Sequence, residues 1–335
     1  MPERFRGVTP SAARLTEHSP ARRRNGITAA EVVQGFAMMR RMKPSRILSV
    51  TVRGLRLQCT HWGRDDAPLL IMLHGWGDAG ASFQFVVDAL RHDWHVVAPD
   101  WRGFGGSDWA DGGYWFPDYL ADLDALLTEL SPEAPVHLVG HSMGGNIACL
   151  YAGIRPRRVA SVVAIDAFGL ADRPADEAPG RYEKWLNSLS AMPPWRQYDS
   201  VEALAERLRR RNPRLDVARS MFLAGVLGKP CEAGVTLSAD PAHQRVNPVL
   251  YRRAEAEACW RRARAPVMWI EPEDESLRRE LGVDAAQIAN AKACFSNFRE
   301  HLIADAGHNL HHDVPEQVAR LIEDFVLAAR ETGRD

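Results

Sequence analysis

The chain has 335 residues, 46% of them hydrophobic and 25% charged, and its 42 basic and 43 acidic side chains leave a formal net charge of −1. That composition suits a globular protein with a large core, and the balanced charge gives no whole-molecule attraction to nucleic acid or to an anionic membrane surface. Five cysteines (Cys59, Cys149, Cys231, Cys259, Cys294) are scattered, odd in number and never in a C-x-x-C pair, which supports neither a disulfide framework nor a zinc site and fits a reducing compartment. No apolar h-region follows Met1-Pro2-Glu3-Arg4-Phe5-Arg6, and no stretch approaches the roughly 18 apolar residues of a membrane span, so the expected location is cytoplasmic.

Residues 1–45 form a basic N-terminal extension. Within it, Val32, Val33, Phe36, Met39 and Met42 fall near one face of a helix predicted over Ala29 to Met42. From Ile47 the pattern changes, and Ile47 to Val52 and Leu55 to Cys59 predict a hairpin turned at Arg53-Gly54. Strand and helix signals then alternate. Strands are expected at Leu69 to Leu73, His95 to Ala98, Val136 to Val139 and Val159 to Ile165, with helices at Ser82 to Leu90, Pro117 to Leu130 and after Ser142. Alternation of this kind predicts a mostly parallel sheet with helices on both faces, which explains the continuous apolar character of the strands.

The alternation stops at Gly169. Residues 169–264 read as an inserted helical subdomain, too long for a loop, with Trp185, Trp195, Trp260, Phe222, Met192 and Met221 as its large apolar residues. The rhythm resumes at Pro266 to Ile270, followed by a helix near Val283 to Cys294, a strand near Asn297 to Ile303 and a last helix from Pro315 to about Arg330. Asp313 is the expected N-cap of that helix. The core thus comprises residues 46–168 and 265–335.

Gly140-His141-Ser142-Met143-Gly144 lies between a strand and a helix, where a G-x-S-x-G pattern makes a sharp turn that raises the serine hydroxyl above the strand ends. A serine hydroxyl needs a base within hydrogen-bond reach, itself oriented by a carboxylate. The candidate base is His308, which follows Gly307 and leaves the last strand first. His311 and His312 are read as loop or surface residues, and the trio lacks the spacing of a zinc site.

Four motifs, each at a strand's carboxyl end, give the chain its resemblance: His74-Gly75-Trp76-Gly77, Asp100-Trp101-Arg102-Gly103-Phe104-Gly105-Gly106-Ser107, Gly140 to Gly144, and Gly307-His308 with Pro315. Over roughly residues 47 to 330 the sequence resembles the α/β-hydrolases. His74-Gly75-Trp76, Tyr114 to Tyr119 and Asp166 to Leu170 look like a proteobacterial subgroup related to the serine-hydrolase-like proteins. The resemblance implies an α/β fold with a mostly parallel, eight-stranded, doubly wound sheet and a helical cap insertion. It further implies that Ser142 attacks a carbonyl carbon, that His308 moves the proton, and that the backbone N–H groups of Trp76 and Met143 form the oxyanion hole.

The acid departs from the family pattern. Pro272 stands where a glycine is expected, and counting from Pro266 lands on Glu275, with Asp274 beside it and Asp166 as a third candidate at the end of the sixth strand. Asp100 and Asp108 are read as structural, bracing their loop through Arg102. Asp240 to His243 is a segment that could reach the mouth of the site. The expected activity is hydrolysis of a carboxylic ester or related acyl bond in a small-molecule acyl substrate, with no cofactor and no metal. Carbon–carbon bond hydrolysis of a β-diketone type substrate and non-catalytic ligand binding are the alternatives, and serine at the elbow argues against chemistry that needs a carboxylate nucleophile. The sequence carries no signal for oligomeric state.

Overall fold

A computed structural model describes residues 42–190 and 194–332, so the helix expected before Met42 lies outside the described residues. Strands β1 (Ser45–Val52) and β2 (Leu55–Trp62) form the expected hairpin. Arg53 and Gly54 at its turn have φ of 51° and 81°, the pair of positive values that matches a two-residue turn to the twist of its strands. Strands β3 (Leu69–Leu73), β4 (His95–Pro99), β5 (Val136–His141), β6 (Val159–Ile165), β10 (Val267–Pro272) and β11 (Phe298–Ile303) complete an eight-stranded sheet of order β1-β2-β4-β3-β5-β6-β10-β11. From β4 to β11 all neighbours are parallel; β1 and β2 are the antiparallel edge.

The strands' alternate residues feed two cores. Ile71, Leu138, Val162, Ala164, Val267 and Trp269 join α2 (Phe116–Leu130), α3 (Met143–Ile154) and α9 (Ala285–Ala293) on one face. Leu70, Met72, Val139, Val163, Met268 and Ile270 join α1 (Gln84–Ala89) and α11 (Pro315–Thr332) on the other. Two buried faces require apolar residues at every position, which is the continuous pattern seen in the sequence. Among the described residues no helix is long and apolar enough to cross a membrane.

Between β6 and β10 lie α4 (Ala178–Ser190), α5 (Val201–Arg211), α6 (Val217–Leu227) and α7 (Arg253–Trp260). Ser200 and Asp216 cap α5 and α6, accepting from the N–H groups of Ala203 and Arg219. The segment also contains a three-stranded antiparallel sheet of β7 (Gln197–Tyr198), β9 (Gly234–Leu237) and β8 (Gly228–Cys231), where helix alone was expected. Strands of two to four residues containing Gly, Pro and Lys carry too little alternation to announce themselves.

Two local expectations are corrected. Asp313 does not cap α11: it ends the short helix α10 (Leu310–Asp313), and its carboxylate accepts from the Gly307 N–H at 2.9 Å and from Asn212 Nδ2 at 2.6 Å. Arg102 does not bind Asp100 or Asp108. It makes two 2.5 Å hydrogen bonds to the fully buried Asp122 of α2, while Asp100 accepts from the Gly80 and Gly106 N–H groups and Asp108 pairs with Arg56.

Candidate active site

β5 runs directly into Ser142, which takes φ 50° and ψ −114° before α3 begins at Met143. This backbone region is costly for a side chain other than glycine's, and the cost is met by fixed surroundings: the Ser142 N–H donates to the Ile165 carbonyl at 2.9 Å and its own carbonyl accepts from Asn146 at 3.0 Å. A Cβ on Gly144 would lie 2.1 Å from the Leu73 carbonyl oxygen, so only glycine lets the elbow approach β3 this closely.

His308 stands in the loop between β11 and α10, with its ring partly exposed. The neighbouring His141 ring lies 4.6 Å from it and shares a 2.9 Å hydrogen bond with the His308 carbonyl, which holds the loop against the elbow. His308 Nδ1 is 2.7 Å from Asp166 Oδ2. An ionised carboxylate only accepts, so Nδ1 carries the proton of this bond and Nε2 is left with its lone pair. Asp166 follows β6 with φ 45°, is buried, and donates its N–H to the Ile270 carbonyl at 2.8 Å.

The structure therefore brings Asp166, and neither Glu275 nor Asp274, to His308. Pro272 ends β10 and the chain turns outward into α8 (Ser276–Glu280). There Asp274 Oδ1 accepts from the Ser276 N–H at 2.9 Å, and the exposed Glu275 carboxylate faces Arg278 at 3.4 Å.

The His74-Gly75-Trp76 turn lies against the elbow. A Cβ built on Gly75 would stand 2.8 Å from His141 Nδ1 and 3.2 Å from Ser142 Cβ. His74 is fully buried; burial lowers its pKa, and the neutral ring accepts from the Trp101 N–H at 2.9 Å and donates to the Gly75 carbonyl at 2.7 Å. The Trp76 side chain is 52% exposed, edge-on to Phe104 and Trp195. Met143 is the first residue of α3, where a backbone N–H has no partner within the helix.

Beneath these groups lies a cluster that sequence reading placed at the surface. His311 and His312 are buried, with rings 3.8 Å apart, and His311 packs on His141 at 4.1 Å. His311 Nε2 is 3.3 Å from Asp78 Oδ2, and Ser82 Oγ donates to the same oxygen at 2.9 Å. Burial opposes ionisation of Asp78, but the His311 hydrogen bond and the neighbouring histidines outweigh it and hold the carboxyl well below its usual range. Burial pushes His312 down to about 3 and His141 well below its ordinary value. The signal available in the sequence was His311-His312 directly before Asp313-Val314-Pro315: a short turn wedged between two packed elements has no outward face.

The segment between β6 and β10 packs against Tyr114, Phe104 and Trp76. Asp240 accepts from Tyr114 Oη at 2.7 Å, and His243 is sandwiched between the Phe104 and Tyr114 rings at 3.8 and 3.6 Å. Trp195 Nε1 donates to the Ala239 carbonyl at 3.0 Å. Two groups among the described residues have the spacing to hold a cation, His61 with Asp65 and His95, and Asp78 with His311 and His312. Arg46 already pairs with Asp65 in the first, and in the second Asp78 is held by Ser82 and His311.

A sheet of this order with a strained serine at the end of β5, a histidine after β11 and a buried acid after β6 defines a hydrolase scaffold. The sequence profile of the alpha/beta hydrolase fold matches residues 68–315, and the chain belongs to this family. A serine hydrolase-like protein of Danio rerio is 26% identical over 278 residues, covering 79% of this chain and 83% of its own. A 2-(acetamidomethylene)succinate hydrolase of Mesorhizobium japonicum is 25% identical over 301 residues, covering 90% and 99%. Among solved structures, the thioesterase domain from the curacin biosynthetic pathway superposes with a TM-score of 0.76 at 25% identity, covering 84% of this chain and 99% of its own.

Proposed function

We propose that the chain is a serine hydrolase that cleaves a carboxylic ester or related acyl bond through an acyl-enzyme on Ser142. The observation that carries this reading is the 2.7 Å contact between His308 Nδ1 and Asp166 Oδ2, made at the sheet end where Ser142 stands in its strained turn. Ser142 Oγ attacks the carbonyl carbon while His308 Nε2 takes the hydroxyl proton. Asp166 fixes the tautomer and stabilises the imidazolium. The tetrahedral oxyanion faces the N–H groups of Trp76 and Met143; as it collapses, the leaving alcohol takes the proton from His308 and departs. Water, deprotonated by the same imidazole, then releases the acid and restores Ser142.

The segment between β6 and β10 serves as a cap, with Trp76 and Trp195 as an apolar wall for the substrate. The likeness to two named hydrolases supports the reaction class. A fluorophosphonate probe tests it: covalent labelling at Ser142, abolished in Ser142→Ala, is expected. Folded protein that takes no label would overturn the reading. A series of p-nitrophenyl esters from acetate to palmitate then defines the acyl length.

A further inference from the structure

At the edge of the sheet opposite Ser142, three ligand-type side chains converge. β2 runs antiparallel to β4, and β4 runs parallel to β3 and β5, so the end of β2 and the start of β4 lie where β5 begins rather than where it delivers Ser142. His61 of β2 pairs with Val97 of β4, and His95, two residues before Val97, shares its face. Gly63 brings the chain leaving β2 against β4: its φ is 74°, and a Cβ there would lie 2.0 Å from the Trp94 carbonyl oxygen. The turn beyond it carries Asp65 to His95.

His61 Nδ1 stands 3.1 Å from His95 Nε2, and Asp65 Oδ1 stands 3.3 Å from the same nitrogen. A neutral ring nitrogen carries at most one proton, so His95 Nε2 cannot give both neighbours a straight hydrogen bond; without that proton its lone pair faces a carboxylate. A metal ion would satisfy all three lone pairs at once. Ligand atoms about 2.0–2.1 Å from a tetrahedral zinc stand about 3.3 Å from one another, close to both of these separations. All three atoms lie within 4.8 Å of one another, and the Asp65 side chain, 75% exposed, has the freedom to shorten the remaining side. Burial lowers both histidines, His61 to about 4, so both rings are neutral, as ligands must be.

We infer that His61, Asp65 and His95 bind a divalent ion of the zinc type, with water completing its shell, and that the ion joins the β2–β3 turn to the start of β4. Imidazole nitrogens beside a carboxylate oxygen select ions of this class over magnesium and calcium, which take oxygen ligands. The competing group is Arg46 of β1, which stands opposite His61 and pairs with Asp65. Its side chain is 40% exposed and also donates to the Gly63 carbonyl at 2.9 Å, so it can release Asp65 to the ion and keep an anchor. The site is independent of the reaction proposed at Ser142.

The test is isothermal titration of the full chain with Zn2+, after treatment with a chelator and without an affinity tag. One ion per chain is expected, with half-saturation below about 100 µM. Asp65→Asn and His95→Gln should each weaken binding at least about tenfold, since even the outer-shell partners of a bound metal are worth that much. Asp65 is exposed, so its variant keeps the test decisive where His95→Gln does not fold. His308→Gln should bind as the unsubstituted chain does, which separates this site from the proposed active site. Arg46→Met, which lacks the competing cation, should bind at least as tightly. Zinc that fails to bind in this range, that binds undiminished after Asp65→Asn or after His95→Gln, that is lost in His308→Gln, or that binds more weakly in Arg46→Met overturns the proposal.

Discussion

Asp166 and His308 are separated by 142 residues of sequence, yet Asp166 Oδ2 lies 2.7 Å from His308 Nδ1. If this contact orients the base, Asp166→Asn should lower kcat on a hydrolysed ester by about three to four orders of magnitude, because the amide can hold His308 in the wrong tautomer. Glu275→Gln and Asp274→Asn should leave the rate within about threefold, since removing exposed carboxylates that touch no reacting group changes little. Parallel steady-state kinetics of the three variants decide the matter. Loss of activity in Glu275→Gln with an active Asp166→Asn would reverse the assignment.

The parts of this molecule that could be read from the sequence are those determined by local pattern. Ile71, Val163 and Ile270 belong to runs that must be apolar because both faces of their strands are buried, and the glycines around Ser142 and at Gly75 mark backbone that must come close. The acid was not legible, because Asp166 follows β6 and Asp274 and Glu275 follow its parallel neighbour β10, and only the outward turn of the chain after Pro272 separates them. Likewise Arg102 had two nearby aspartates in sequence and chose Asp122, which α2 delivers from 20 residues away. Contacts of that kind depend on docking between elements, for which a single sequence has no periodic signature.

The Arg102–Asp122 pair leads to a stability contrast. Asp122 is fully buried and accepts from both Arg102 and Arg53, so Asp122→Ala leaves the buried Arg102 guanidinium with only Asp118, at 3.6 Å, and should cost about 3–5 kcal/mol. The Arg56–Asp108 pair is close to half exposed on each side, and Asp108→Ala should cost no more than about 1 kcal/mol from its loss. Urea unfolding of the two variants should separate them clearly; equal midpoints would refute the contrast.

Stability should also fall on mild acidification. Burial pushes His137 down to about 4, with the Arg330 charge assisting, and pushes His312 down to about 3, with His311 assisting. Each is neutral in the folded chain while its unfolded counterpart takes up a proton below about pH 6.5. Their contribution is therefore intact above pH 6.5 and declines as the pH drops toward the folded values. The decline is about 1.4 kcal/mol per pH unit for each such histidine. In His137→Gln, whose amide can replace the 2.8 Å bond to Ser161, urea midpoints measured between pH 7 and pH 5 should fall less steeply than in the unsubstituted protein. An identical slope would show that His137 does not titrate differently on unfolding.

Gly75 offers a way to disturb the proposed oxyanion turn without touching a reacting side chain. An added methyl group would meet His141 Nδ1 at 2.8 Å and Ser142 Cβ at 3.2 Å, so the turn carrying the Trp76 N–H must retreat from the elbow by a few tenths of an ångström. Donors of this kind stabilise the transition state only when fixed at hydrogen-bond distance, and losing one costs about two to three orders of magnitude in kcat. Gly75→Ala is accordingly expected to lower kcat within that range while KM for a p-nitrophenyl ester changes little. Fluorophosphonate labelling of Ser142 should slow in step, because the phosphonyl oxygen sits in the same hole. A variant that folds normally and keeps its full kcat would place the oxyanion donors elsewhere than at Trp76.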